Sequence, residues 1–265
     1  MRKVIANVRL FWEGALLSYI ALFRWLRPSV YLASKILMPL AQMFFFVFLG
    51  MYAGSQDASY YVIGNAIQIA AVNGIFGVTM SIGGDRWEGT LPYLFGTPAN
   101  RMVMFVGRAF MHVLDGFTGV VLGLVWGALL LHVDFSRTDP AALGLVILIT
   151  TFSTSGLGLF LGCMSLMTVN VMFINNCMYF LLLFFSGANF PVEKLPQWMQ
   201  AISWALPLTR GIAAGRAIIA GESLAAVSRL LAGEVILGVL YIFLGYALFR
   251  WFEYQAKLRG TLERM

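Results

Sequence analysis

Apolar residues in this chain come in long runs rather than in the one-sided stripes of a soluble helix. A helix needs about 20 apolar residues to cross the hydrocarbon of a bilayer. Segments that meet or approach this length fall at about 29–53, 60–82, 104–131, 141–167, 171–190 and 231–252. Pro28 and Pro140 precede two of them, where the first turn of a helix has no use for the missing N–H. Residues 1–27 are patterned differently. On a helix, Arg2, Arg9, Glu13 and Arg24 gather in a narrow arc, with Val4, Val8, Phe11, Ala15, Leu22 and Trp25 around the opposite side. This predicts an amphipathic helix lying among lipid headgroups, with packing on other protein as the alternative. No secretory leader is expected, because the first long run follows Arg27-Pro28 and no small-residue cleavage site comes after it.

Composition agrees with the pattern. Hydrophobic residues make up 60% of the 265 positions and charged residues 11%, too few to wet the surface of a soluble domain. The net charge of +6 does not point to nucleic acid, because the basic residues sit at the ends of apolar runs. Arg2, Lys3, Arg9, Arg24 and Arg27, then Arg86, Arg101 and Arg108, then Arg250, Lys257, Arg259 and Arg264 fall on one side if the N-terminus is inside. The opposite short loop holds Arg137, and Lys194, Arg210, Arg216 and Arg229 spread over a long one. Both termini are therefore expected in the cytoplasm, which requires an even number of spans. The fold expected is an all-α integral membrane protein: a single domain over 1–265 with six transmembrane helices. It has an interfacial helix at 1–27, an inner loop at 83–103 and an outer loop at 191–230.

The chemistry that would power a pump is missing. The four lysines are followed by Val4, Ile36, Leu195 and Leu258, so no phosphate-cradling Gly-Lys-Ser/Thr loop exists. Neither His-x-x-x-His nor Cys-x-x-Cys metal spacing occurs, and the two histidines, His112 and His132, lie twenty residues apart. Cys163 and Cys177 lie in apolar segments and are expected as reduced, packed thiols. Among carboxylates only Asp115 is placed deep in the bilayer, with Glu234 near the outer end of the last span and Lys35 near the inner end of the first. Arg108, His112 and Asp115 share a helix face; they form either a polar relay or, as expected here, an arrangement in which Arg108 neutralises Asp115 through His112. Gly119, Gly123 and Gly127, with Gly158 and Gly162, allow close helix approach and offer a seam for a compact bundle or a dimer. Asn65, Gln68, Asn73, Thr150, Thr151, Ser153, Thr154 and Ser155 either line a polar path or bond between helices.

Two loops carry more information. In the inner one, Asp85 and Glu88 have N-cap and N3 spacing, which predicts a short helix starting there. Leu91, Tyr93, Leu94 and Phe95 follow as an apolar patch, stopped by Gly96 and Pro98; either a partner covers it or the loop lies flat on the membrane. The outer loop alternates proline with amphipathic pieces: Phe190-Pro191, Leu195-Pro196-Gln197-Trp198, Pro207-Leu208-Thr209-Arg210 and Arg216. Short broken helices dipping back toward the bilayer are expected, forming a cap or gate from Pro191, Pro196, Trp198, Pro207 and Arg216.

Taken together the two loops resemble those of the type 2 ABC transporter permease family. Glu88, Gly89, Thr90, Leu91, Thr97, Pro98 and Arg101 match its inner motif, with Pro92 where a Glu is usual. Phe190, Pro191, Leu195, Pro196, Trp198, Pro207, Leu208, Thr209 and Arg216 match its outer one, with Arg210 replacing an aromatic. The resemblance implies that the inner loop is a coupling helix, with Asp85, Arg86, Glu88, Gly89 and Thr90 docking on a separate ABC ATP-binding subunit. It also implies a homodimer or heterodimer of permeases in the plasma membrane, with ATP and magnesium held by the partner and no catalytic residue, metal or cofactor in this chain. Export of amphipathic, drug-like or lipid-linked molecules follows from it. A polysaccharide or glycolipid exporter is the alternative, and an ion-coupled carrier a more distant one. The aromatic walls, Phe44, Phe45, Phe46, Phe48, Phe184 and Phe185, face either lipid or substrate.

Overall fold

The computed structural model describes residues 2–23, 28–53, 56–97, 100–167 and 170–259, and among these its regular structure is all helical, with no strand. In chain order the helices are α1 (Arg2–Phe23), α2 (Pro28–Ala53), α3 (Ala58–Ala71), α4 (Gly77–Trp87), α5 (Leu91–Gly96), α6 (Arg101–Leu131), α7 (Pro140–Ser165), α8 (Val171–Phe185), α9 (Gln197–Ala205), α10 (Thr209–Ile219) and α11 (Leu224–Arg259). A π-helical turn, Val72–Phe76, joins α3 to α4 without a break, so the two form one long rod. Among the described residues five helical segments are long and apolar enough to cross a membrane: Lys35–Ala53, Ala58–Arg86, Arg101–Leu131, Pro140–Ser165 and Leu224–Gln255. The expected span at 171–190 is shorter: α8 has 15 residues, about 22 Å at 1.5 Å per residue, and the small residues Ser186-Gly187-Ala188 end it in a bend.

Caps set several boundaries. The Asn100 side chain accepts from the N–H groups of Met102 and Val103 at the start of α6, and Asp139 accepts from Ala141 and Ala142 at the start of α7. α6 ends where His132 turns left-handed, with φ 52°. Just beyond, the Ser136 N–H binds the exposed Asp134 carboxylate and holds its pKa below the usual range.

α7 is the centre of the bundle, packed against the α3–α4 rod on one side and α11 on the other. Glycine makes both approaches possible: a Cβ on Gly158 would stand 2.5 Å from the Gly74 carbonyl oxygen, and one on Gly156 would stand 2.7 Å from that of Gly238. The stripe Gly119, Gly123, Gly127 of α6 is occupied within the chain, by Asn73, Ile69, Ala66 and Val62 of the α3 rod. It is therefore a seam inside the bundle, not a face left open for a second copy.

α1 lies along the first half of α6. Phe11 and Trp12 stack around Phe110 with ring centres 5.6 Å away, and Ala15 is fully buried. Arg9 and Glu13 pair at the surface, while Ile5, Val8, Leu16, Leu17 and Ile20 are exposed. Of the expected apolar arc, Phe11 and Ala15 pack against protein and Val8 is exposed, while Arg24 and Trp25 lie outside the described residues. α2 and α8 are more loosely held: Phe45 and Phe48 of α2 and Phe173, Phe180 and Phe184 of α8 are exposed. Cys163 is buried but Cys177, on α8, is exposed, so only the first is a packed thiol.

Candidate functional site

The loop between α4 and α6 stands on charge contacts that point inward. Asp85 binds Arg108 of α6 at 2.7 Å, and the same guanidinium donates to the Ser81 carbonyl. Arg86 donates to the carbonyl of Leu166 at the end of α7, 2.9 Å away. α4 runs on to Trp87, so Asp85 and Glu88 are not the N-cap and N3 of a new helix. Instead Thr90 turns back on Asp85, its N–H meeting the Asp85 carbonyl at 2.9 Å and its hydroxyl the carboxylate at 3.1 Å. Gly89 makes the corner at φ 66°, a conformation that favours glycine.

α5 begins only after this corner. Leu91 is buried and Leu94 partly so, in one apolar cluster with Met104, Phe105, Leu166, Phe249 and Phe252. Facing outward are Glu88, Gly89, Thr90 and Pro92, together with Tyr93 at 78% exposure. Of the five residues expected to dock on a partner, Asp85 and Arg86 are engaged by α6 and the end of α7, and Glu88, Gly89 and Thr90 are exposed. Arg101 completes the support: it donates to the carbonyls of Leu94 and Thr97 and pairs with the buried Glu253 of α11. Glu253 escaped notice in the sequence as one charge of a basic tail; the signal available was Phe249 and Phe252, an apolar face continuing past the span.

The stripe Arg108, His112, Asp115 does not act as a unit. Arg108 belongs to Asp85, and Asp115 pairs with Lys35 of α2 and accepts from the Tyr19 hydroxyl of α1 at 2.7 Å. Neutralisation of Asp115 by Arg108 is thus replaced by neutralisation from Lys35, because α2 crosses α6 at the level of Asp115 while Arg108 sits nearly two turns nearer α5. His112 is buried between these pairs, its ring against Tyr19 and close over Gly77. Asn73, in the π-turn, accepts from Lys35 and donates to the Asp115 carbonyl.

Lys35 also borders a cavity of about 560 Å³ between α2, the π-turn and α8. Its walls are apolar at Met38, Ile69, Val72 and Phe76, with Gln42 and Tyr179 hydrogen-bonded across it at 2.8 Å. An amphipathic molecule fits such a lining: apolar contact over most of the wall, with a few polar groups that orient it.

At the opposite end, the residues after α8 fold back as a short 3₁₀ turn, α9 and α10. Arg216 donates to three carbonyls, Gly187 at 2.8 Å, Tyr60 at 2.9 Å and Ala188 at 3.0 Å, and lies 3.4 Å over the Tyr60 ring. It fastens the bend after α8 to the top of α3, where Asn65 meets Asn189 at 2.9 Å. Pro196 opens α9, Trp198 is exposed on it, Pro191 precedes the 3₁₀ turn and Pro207 is buried before α10. Arg210 donates to the Trp204 carbonyl and lies over that indole, 5.4 Å from its centre. On α7, Thr150 and Thr151 bond carbonyls of their own helix, Thr154 reaches the Ala70 carbonyl of α3, and Ser153 binds Glu234. Among the described residues no group of His, Cys, Asp or Glu is arranged to hold a metal.

A multi-pass helical membrane protein, with a braced loop at one end and folded-back short helices at the other, is the class these features define. Residues 14–220 match the family model of the ABC-2 type transporter, and the chain belongs to that family, the membrane permease component of ABC transporters. It is 30% identical over 209 residues to the daunorubicin resistance ABC transporter permease protein DrrB1 of Streptomyces coeruleorubidus, covering 73% of this chain and 70% of that one. A second relative, the "Probable multidrug ABC transporter permease YbhR" of Escherichia coli K12, is 24% identical over 159 residues, 59% of this chain and 43% of its own length.

Proposed function

We propose that the chain is the membrane half of an exporter for amphipathic, drug-like or lipid-linked molecules, driven by a separate ABC ATP-binding subunit. The observation that carries this is the α4–α6 loop. Its inner residues are locked to α6, α7 and α11, while Glu88, Gly89, Thr90, Pro92 and Tyr93 remain outward on a rigid base. Such a surface is suited to receive force from a partner and pass it to the spans. Magnesium and ATP are held by that partner, and this chain performs no hydrolysis. The loop end and both termini face the cytoplasm of a bacterial plasma membrane, with α8 and its folded-back continuation making the sixth crossing, and a second permease, identical or related, packs against the loosely covered α2 and α8. The cavity beside Lys35 and Tyr179 receives the substrate; the drug-related names of the relatives support that substrate class.

The test is co-purification and transport. The chain should be recovered with an ATP-binding subunit, and Glu88→Ala should separate ATP hydrolysis from transport while leaving the membrane fold intact. Transport by the chain with no nucleotide-hydrolysing companion would refute the proposal.

A further inference from the structure

α11 carries two carboxylates that the rest of the chain buries, Glu234 at 0% exposure and Glu253 at 4%. They stand about 28 Å apart along the helix at 1.5 Å per residue, close to the thickness of the hydrocarbon. Burying a carboxylate is costly unless it is paired, so each marks a contact that the fold maintains.

At one end Glu253 is held by Arg101 and, at 3.2 Å, by Arg250. Arg101 also donates to the carbonyls of Leu94 and Thr97, which close α5. Phe249 and Phe252 lie in the same cluster as Leu91 of α5, and Phe249 meets Phe105 edge-on at 5.1 Å. Any displacement of α5 therefore meets α11 through a charge contact and an apolar one.

At the other end Glu234 accepts from the Leu208 N–H and from the Ser153 hydroxyl, both at 2.6 Å. Leu208 is the residue from which α10 starts, and it holds φ at 91°, a conformation that a side-chain-bearing residue keeps only under constraint. The carboxylate on its N–H is such a constraint.

Between these ends α11 is a continuous helix without proline. The α3–α4 rod, although joined directly to the same loop, is interrupted at Val72–Phe76 by a π-turn, where a helix can absorb a shift. α6 also leaves the loop as a continuous helix but packs little against α10, so of the three helical routes α11 is the one that is both unbroken and packed on α10.

We propose that α11 is a transmission rod: displacement of α5 passes through Arg101 to Glu253, along the helix, and through Glu234 to Leu208 and α10. Arg101, Glu253 and Glu234 are positioning residues that touch neither nucleotide nor substrate. The inference rests on the reading of α5 as the surface that receives the ATP-binding subunit, and adds the path by which its movement reaches the opposite face.

The experiment uses the full chain with its ATP-binding subunit, in lipid nanodiscs for labelling, where both faces meet solvent, and in proteoliposomes for transport. Cys177→Ser removes the exposed thiol, Cys163 stays silent because it is buried, and Ala220→Cys places a reporter at the exposed end of α10. Labelling by a membrane-impermeant maleimide is compared with and without ATP, alongside transport per ATP hydrolysed. In the parent complex the labelling rate changes with nucleotide. Arg101→Met and Glu253→Gln each shrink that change, and the transport ratio, by at least about fivefold, the lower end of typical coupling between sites. ATP hydrolysis and assembly persist, and the double variant is no worse than either single one. Glu253→Gln keeps the side-chain shape and decides alone if Arg101→Met fails to assemble. Parent-level labelling response and transport ratio in Glu253→Gln would overturn the rod. A parent complex that does not assemble, or does not transport with ATP, defeats the exporter reading itself, whereas one that transports with no change in labelling overturns the rod.

Discussion

Lys35 and Asp115 make an ion pair between α2 and α6 whose two ends are unequal, and that inequality can be measured. The Asp115 side chain is 7% exposed and that of Lys35 18%. Removing the lysine, as in Lys35→Met, leaves a carboxylate inside the bundle without its ammonium partner, with the neutral Tyr19 hydroxyl still donating to it. Breaking a buried pair from one side costs about 3–5 kcal/mol, and insertion of a lone Asp at a helix centre about 2.5–3.5 kcal/mol, so a loss of about 3 kcal/mol is expected. Asp115→Leu leaves an ammonium instead. That group sits on a flexible stem, keeps Asn73 as an acceptor and borders the cavity, so it can reach water; about 1–2 kcal/mol is expected. The double variant removes both charges and should be more stable than Lys35→Met alone, since an apolar replacement of a buried pair is often neutral. The assay is equilibrium unfolding in mixed micelles, followed by helical circular dichroism. Additive losses, or a Lys35→Met variant within about 0.5 kcal/mol of the parent, would show that the pair carries no such energy.

Gly158→Ala should destabilise by about 1–3 kcal/mol, because its Cβ meets the Gly74 carbonyl and the Ile75 backbone rather than a yielding side chain; Gly144→Ala, with nothing within 4 Å, should be neutral or stabilising in the same unfolding assay. Arg216→Lys should lose about 1.5–3 kcal/mol, since one ammonium cannot reach Gly187, Tyr60 and Ala188 together while lying over the Tyr60 ring; the protein's thermal midpoint should fall. Tyr93→Ala should leave the midpoint unchanged, because the side chain is exposed, yet weaken recovery of the ATP-binding subunit on affinity purification.

The spans were legible because bilayer thickness sets their length. The run expected at 104–131 is Arg101–Leu131, and that at 141–167 is Pro140–Ser165, with Asp139 and Pro140 marking its start as a cap and a first-turn proline do. Two errors share a cause: one-dimensional spacing was read as a contact. Asp85 and Glu88 have capping spacing, but α4 had not yet ended, and the Asp85 carboxylate serves Thr90 and Arg108. Arg108 and Asp115 share a face of α6, but different helices cross that face at different heights. The run 171–190 ended early because Ser186, Gly187 and Ala188 are apolar enough to read as span yet small enough to bend. The π-turn carries no signal in Val-Asn-Gly-Ile-Phe that sets it apart from ordinary helix.

What spacing cannot supply is the identity of the partner across a helix boundary, and here those partners organise the bundle. Apolar contact does not choose between a neighbouring helix and a lipid tail, so packing shape and polar contacts set the register. α6 carries charge contacts to three different helices: Arg101 to Glu253 of α11, Arg108 to Asp85 of α4, and Asp115 to Lys35 of α2. Its glycine stripe locks it to α3 with no polar group except Asn73. α6 thus meets three helices at three heights, and these contacts set their register against it. The loosely covered α2 has one charge contact to it, at Lys35, so breaking that contact should free α2 before any other span. Hydrogen exchange on Lys35→Met would then show α2 losing protection while α6 and α7 keep theirs; uniform loss across the bundle would mean that α2 is not separately held.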